Sequence, residues 1–179
     1  MTEPRGRYAA VDVEGNGQQP PDLVEVAVVP IDNGHIGEPR AWLLRPARPV
    51  TPIARRIHGL STEQLADAPT IAEVADEIRT ATAGRTIVAH AAHVDVTALK
   101  RHLPGWHAAR VEDTLRLARQ TLPQRPSYSL DALIAELGLD HHIPLDLRRH
   151  RAAYDALITA RLFIALTNTD MRQVQDGLF

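Results

Sequence analysis

The period of apolar positions changes along this chain, from strand-like near the start to helix-like after about residue 90. Tyr8 to Val13 reads as a strand, Leu23 to Ile31, with the apolar run VEVAVVPI, as a second, and Ala41 to Arg45 sits in a third. Asn33-Gly34 between the last two is a hairpin signal, so these should pair antiparallel. Pro52 to Ile57 reads as a short helix. Ser61-Thr62-Glu63-Gln64 and Thr70-Ile71-Ala72-Glu73 each match a capping box, and the spacing of Ile71, Val74, Ala75 and Ile78 predicts a helix after the second. Arg85 to Ala89 gives a short apolar strand. Helical patterns follow at Asp95 to Leu103, Asp113 to Gln120, Leu130 to Leu137 and Arg151 to Leu166. The order predicts an α/β fold with a mixed sheet covered by helices.

Composition narrows the chemistry. With 179 residues, 44% hydrophobic and 23% charged, the chain has the make-up of one ordinary globular domain. Residues 1–167 are expected to form it, with 168–179 as a C-terminal tail free to be flexible. No apolar run approaches the ~20 residues of a membrane span, and Met1 to Gly6 has no signal-like apolar segment, so a cytoplasmic protein without membrane contact is expected. The absence of cysteine excludes disulfides and thiolate chemistry; any metal must be held by carboxylates and imidazoles. A formal charge of -2 gives no global attraction to a polyanion, so any such binding must be local. Lys100 is the only lysine; arginine carries the rest of the basic charge.

The anomaly lies in RYAAVDVEGNG, where a strand that should be buried carries Asp12 and Glu14. Residues two apart on a strand share a face, so the two carboxylates lie side by side. Each raises the other's pKa unless a cation sits between them. A strand end with solvated acids is the bland alternative. Two more segments add to the set. HAAHVDV puts Asp95 in the first turn of a predicted helix, where a carboxylate is favoured. RRHRAAYD sets His150 and Asp155 five residues apart, roughly 140° around a helix, so they can face one centre if His150 lies just before the helix. His90, His93 and Asp95 also spell H-x-x-H-x-D, an alternative zinc site that lacks an obvious further strong ligand.

Four acids and a histidine in this order, from Tyr8 to Leu166, resemble the DEDDh, DnaQ-like 3′–5′ exonuclease family. IHGLSTEQLADAPTIAEVADEI, VEDTLRLAR and YSLDALIAELGL resemble that family's intervening segments. The resemblance implies a ribonuclease H-like fold with a five-stranded mixed sheet, its first three strands antiparallel. It also implies that Asp12, Glu14, Asp95 and Asp155 hold two divalent ions, Mg²⁺ or Mn²⁺, with His150 as general base. Two such ions suit hydrolysis of a phosphodiester, one activating water and the other stabilising the leaving oxygen. Oxygen ligands suit hard cations, and histidine's ordinary pKa of ~6.5 suits a base near neutral pH.

The substrate implied is nucleic acid with a free 3′ end, single-stranded, DNA ahead of RNA, cut to nucleoside 5′-monophosphates in proofreading, repair or end trimming. Gly15, Asn16, His58, Gly59, His90 and Arg149 are the expected substrate contacts, with Arg148 and Arg151 flanking the base. Two departures bear on substrate handling: Gly15 stands where the family usually has Thr, and Ala91 where it has Asn. A 3′-end-binding subunit with little turnover, and an RNase acting on short oligoribonucleotides, are the alternatives. QDGLF, Gln175 to Phe179, resembles the short peptides that dock on a sliding clamp, and names that clamp as a partner.

Overall fold

The computed structural model describes residues 6–176, with side chains to residue 168. The clamp-like peptide Gln175 to Phe179 lies outside the residues described with side chains. Six strand segments make one mixed sheet: β1 (Arg7–Gly15), β2 (Leu23–Asp32), β3 (His35–Ile36), β4 (Arg40–Leu43), β5 (Thr86–Ala89) and β6 (Val111–Asp113). Their order is β3-β2-β1-β5-β6, with β4 also on β2. β1 and β2 run antiparallel, as do β2 and its partners β3 and β4, while β5 and β6 run parallel to β1 and to each other. The α/β class and the antiparallel start therefore stand.

The strand count is five if β3 and β4 are one strand interrupted by a bulge. Ile31 pairs with Ile36 and Val28 with Arg40, so three steps on β2 face four on its partner. Gly37 fills the gap, its N–H donating to the Pro30 carbonyl at 2.8 Å. A Cβ at Gly37 would come within 2.9 Å of the Pro30 ring, so the residue there must be small. β6 was not expected; it ends at Asp113, which caps the helix that was expected to start there. With only three residues, Val111 and Glu112 exposed, it is too short to show a period.

Six helices cover the sheet: α1 (Pro52–His58), α2 (Ala75–Thr82), α3 (His93–His102), α4 (Thr114–Thr121), α5 (Leu130–Leu137) and α6 (Ala152–Asp176). The first capping box forms reciprocally, Ser61 N–H to Gln64 Oε1 at 2.9 Å and Gln64 N–H to Ser61 Oγ at 3.3 Å, but it nucleates only turns. The helix expected after Thr70 begins later, at Ala75. α6 continues to Asp176, past the residue where a tail was expected to begin.

Strand parity sorts the core. Ala9, Val11, Val26 and Val28 face the side packed by α2 and α3, together with Ile78, Leu99 and Leu103. Ala10, Ala27, Val29 and Val88 face α6, which approaches with Ala152, Ala153, Ala156 and Ala160. Those alanines let the helix lie close to the sheet. The parity that puts Ala10 under α6 continues to Asp12 and Glu14, so both acids emerge on the face that the start of α6 covers. Trp106 packs in the core with its indole N–H on Thr82 Oγ1 at 2.9 Å. Among the described residues, no helix is long and apolar enough to cross a membrane.

Candidate active site

The site forms at the C-terminal end of β1. Beyond Glu14 the β1–β2 register shifts: Glu14 pairs with Glu25 but Gly15 with Leu23. The chain then turns through residues 16–22, a turn organised by one side chain. Asn16 is fully buried; its amide donates to Asp22 Oδ2 and the Arg48 carbonyl, both at 3.1 Å, while its oxygen accepts from Gln18 and Asp22 N–H. Arg48 completes the hub through its side chain and its N–H, both on Asp22. Asn16 therefore holds the loop and is not free to touch a substrate, contrary to expectation. Gly15 has its own reason to lack a side chain: a Cβ there would lie 3.0 Å from Pro21 Cβ. Gly17, at φ +79°, would put a Cβ 2.2 Å from Thr51 Oγ1.

α1 supports the same loop from the other side. Thr51 caps it, accepting from Ala54 N–H at 3.2 Å, and Gly59 ends it at φ +78°. His58 is buried; its Nδ1 accepts from Leu60 N–H at 3.1 Å, which leaves Nε2 to donate to the Gly15 carbonyl at 3.2 Å. Burial lowers its pKa, which keeps that neutral tautomer. His58 thus fixes the backbone next to Glu14.

Asp12, Glu14 and Asp155 converge, each offering an oxygen within 4.8 Å of the others. Asp155 arrives on the first turn of α6, its N–H bonded to the Arg151 carbonyl at 3.0 Å. Asp95 does not join that tight set. One of its oxygens accepts from Val13 N–H at 3.1 Å, anchoring α3 to β1 between the two acids. It is nonetheless the strongest charge acting on Asp12. Arg151 draws Glu14 down and His150 and Arg149 draw Asp155 down, but burial and the repulsion among the acids outweigh them. Burial first, and then repulsion from Asp95, Asp155, Glu14 and Glu25, raises Asp12 well above the usual range. Glu14 is pushed up to about 8 by burial and then by Asp155 and Glu25; Asp95 reaches about 7 and Asp155 about 6, burial again leading. Four oxygen donors with unspent negative charge and no thiolate fit a hard divalent cation.

His150 is exposed, just before α6, at φ +58°. It lies close enough to Asp155 for its charge to lower that carboxyl's pKa. Its position ahead of the helix is the one the five-residue offset requires.

Other expected contacts are engaged elsewhere. Arg149 pairs with Asp131 of α5. Arg151, expected to flank the base, makes a fork on the buried Glu25 of β2, Nε and Nη2 each 2.9 Å from an oxygen. His90 uses both ring nitrogens, Nδ1 with Thr114 Oγ1 at 3.0 Å and Nε2 with the Tyr128 carbonyl at 2.9 Å. It is a tie between loops, which also removes it from a zinc site with His93. Ala91 sits at φ +59°, a conformation asparagine tolerates better, and is held there because Asp113 accepts from Ala91 and Ala92 N–H at 3.2 and 3.1 Å.

Sequence reasoning missed Ile53 and Ile57. They are 71% and 53% exposed, one turn apart on α1, and line a cleft of about 310 Å³ with Glu14, Gly15, Thr51 and His58. Their i, i+4 spacing on the face next to the one that carries Ala54 and His58 was the available signal. A second cleft, about 420 Å³, lies on the other side of Gly15 and includes Val13, Pro21, His93, Val94 and Arg101.

Comparison with known proteins agrees with this geometry. The RNase_T family model, described as exonuclease, matches residues 10–163. A PolC-type DNA polymerase III of Thermotoga petrophila is 32% identical over 164 residues, 88% of this chain and 12% of that protein. Exodeoxyribonuclease 10 of Escherichia coli K12 is 37% identical over 160 residues, 89% of this chain and 68% of that protein. Among solved structures, exonuclease X in complex with 5′ overhanging duplex DNA matches with a TM-score of 0.77 and 35% identity, covering 92% of each chain.

Proposed function

Because the chain belongs to the exonuclease family of DnaQ-like, ribonuclease H-like proteins, we propose that it is a metal-dependent 3′–5′ exonuclease acting on DNA in preference to RNA. The observation that carries this reading is the uncompensated set Asp12, Glu14 and Asp155 within 4.8 Å, with Asp95 behind it and His150 exposed beside it. Asp12, Glu14, Asp95 and Asp155 are the residues that would hold two divalent cations, Mg²⁺ or Mn²⁺, which when bound supply activation of water and stabilisation of the leaving 3′-oxygen. His150 takes the proton of the attacking water at a ring nitrogen and passes it to solvent, for which its exposure is suited.

Ile53 and Ile57 offer an apolar surface beside Glu14 for the terminal base, and Gly15 lines the same cleft where the terminal sugar would lie. Arg101, in the second cleft beside Gly15, offers positive charge to the phosphate backbone, and His93 in the same cleft offers a ring nitrogen for a hydrogen bond. The products are nucleoside 5′-monophosphates released from the 3′ end. The role is proofreading, repair or end trimming in the cytoplasm.

The test is digestion of a 5′-labelled single-stranded DNA oligonucleotide, its RNA counterpart and a duplex with a 5′ overhang, in Mg²⁺ or Mn²⁺. A ladder shortening from the 3′ end, abolished by EDTA and by Asp12→Ala and slowed to a small residual rate by His150→Ala, is the expected result. Intact substrate in all lanes, with retention in a gel shift, would replace the enzyme by an end-binding subunit.

A further inference from the structure

Glu25 stands in the middle of the apolar run of β2 and is only 2% exposed. A lone carboxylate there is costly unless it is fully bonded. It is: Arg151 grips it in a bidentate fork, and the Ala152 N–H donates to Oε2 at 3.0 Å. The residues bonded to it are 126 and 127 positions away in sequence and begin α6.

That N-terminus lacks a cap of its own. Arg151, whose carbonyl accepts the first helical bond from Asp155, has no side-chain oxygen to satisfy the open N–H groups of the first turn. Glu25 supplies the missing acceptor from the sheet, and a negative charge at a helix N-terminus is the favourable sign. The residue before Arg151 is His150, held at φ +58°, a left-handed conformation that is strained for any residue with a side chain. Such a conformation persists only where the surroundings over-determine it. On one side the clamp fixes the adjoining residue. On the other, Arg149 pairs with Asp131. Glu25 is also directly opposite Glu14 across the β1–β2 ladder, so the clamp and the acid set share one register.

We infer that Glu25 and Arg151 are positioning residues whose pairing, anchored at the buried Glu25, sets the backbone at His150 and so aims the general base at the acid cluster. This rests on the proposed exonuclease reading, in which His150 is the base. A solvent-side arginine pair such as Arg149 with Asp131 steadies the loop; the Glu25 fork determines where it joins the sheet.

A kinetic cycle tests the inference: wild type, Glu25→Gln, His150→Ala and the double variant, assayed for kcat and KM on a 5′-labelled oligonucleotide, with thermal melting as a check on folding. Glu25→Gln keeps the shape and one acceptor but loses the charge that holds the fork. The expected result is a kcat lowered at least about tenfold with KM within about twofold, and less than about twofold further loss when Glu25→Gln is added to His150→Ala. An equal loss in both backgrounds would mean that Glu25 supports the fold or the acids, not His150, and would overturn the inference. Wild-type kcat in Glu25→Gln would overturn it too. Should Glu25→Gln fail to fold, Arg151→Lys, which keeps the charge but not the fork, goes through the same cycle with the same criteria. A wild-type protein that cuts no substrate would overturn the exonuclease reading instead, which separates the two failures.

Discussion

The carboxylates at the two ends of one short loop are shifted in opposite directions by what surrounds them. Asp22, at the end that enters β2, meets the Arg48 guanidinium and N–H, and its pKa is held below the ordinary value chiefly by that hydrogen bonding. Asp12 and Glu14, at the end that leaves β1, meet other acids, and burial together with their mutual repulsion pushes them up. Both burial and neighbours separate the two ends: burial leads at Asp12 and Glu14, whereas at Asp22 the hydrogen bonds from Arg48 outweigh it. A protein that wanted only stability would put an arginine between Asp12 and Glu14 as it puts Arg48 beside Asp22. Leaving the charge uncompensated costs stability and keeps a place for a mobile cation.

The comparison breaks most decisively at the acid set. Asp12→Asn or Glu14→Gln should lower oligonucleotide hydrolysis by about 10³-fold or more, the ~4 kcal/mol expected when part of a metal-binding set is lost. The same substitutions should raise the melting temperature of the metal-free protein at pH 8 by about 2–4 °C, because they remove repulsion worth ~1 kcal/mol. Activity and stability moving in opposite directions is the signature; a fall in both would mean the acids are structural. At the other end, Asp22→Ala strips Arg48 and Asn16 of a shared partner and should cost about 2–3 kcal/mol in urea unfolding. Its effect on activity should come only through movement of the 16–22 loop.

A pH titration sharpens the contrast without mutation. Glu14, Asp95 and Asp155, near 8, 7 and 6, have folded pKa values above the ~4 of the unfolded chain, so in that window the unfolded chain binds fewer protons. Their contribution to stability is fully present below about pH 4 and is lost as pH rises through about 6–8. Melting temperatures of the EDTA-treated protein should therefore fall from pH 5.5 to pH 8, and Mg²⁺ or Mn²⁺ should restore them, more strongly at pH 8. A curve that rises over this range, with no response to metal, would contradict the uncompensated site. Asp22 behaves in reverse: its stabilisation is present above the ordinary carboxylate value and is lost as acid protonates it. The smallest expected change is at Ala91, where Ala91→Gly should stabilise by about 1 kcal/mol because glycine enters φ +59° without penalty, measurable as a shift in the urea midpoint.

Much of this site could be read from residue order. Period-2 parity places Asp12 and Glu14 on one face whatever the sheet does later, and a histidine five residues before an aspartate must lie outside the helix if both are to face one centre. Other residues have partners that residue order does not show. Asn16, His90 and Arg151 carry groups that suit a substrate, and nothing local reveals that each is already bonded to a partner 6 to 126 residues away. Glu25 did show the sign that exposed Asp12, an acid inside an apolar strand, but its meaning differs because an arginine answers it.

Sequence by itself determined the α/β order, the helices that local capping and apolar spacing specify, the acids that share a face of β1, and membership of the exonuclease family. Tertiary structure alone decided which charges are paired and which are left open. That outcome turns on how closely the alanine face of α6 approaches the sheet and on where the 16–22 loop folds back on Arg48. Such contacts join positions far apart in the chain, and their energies depend on distance and burial that no local pattern encodes.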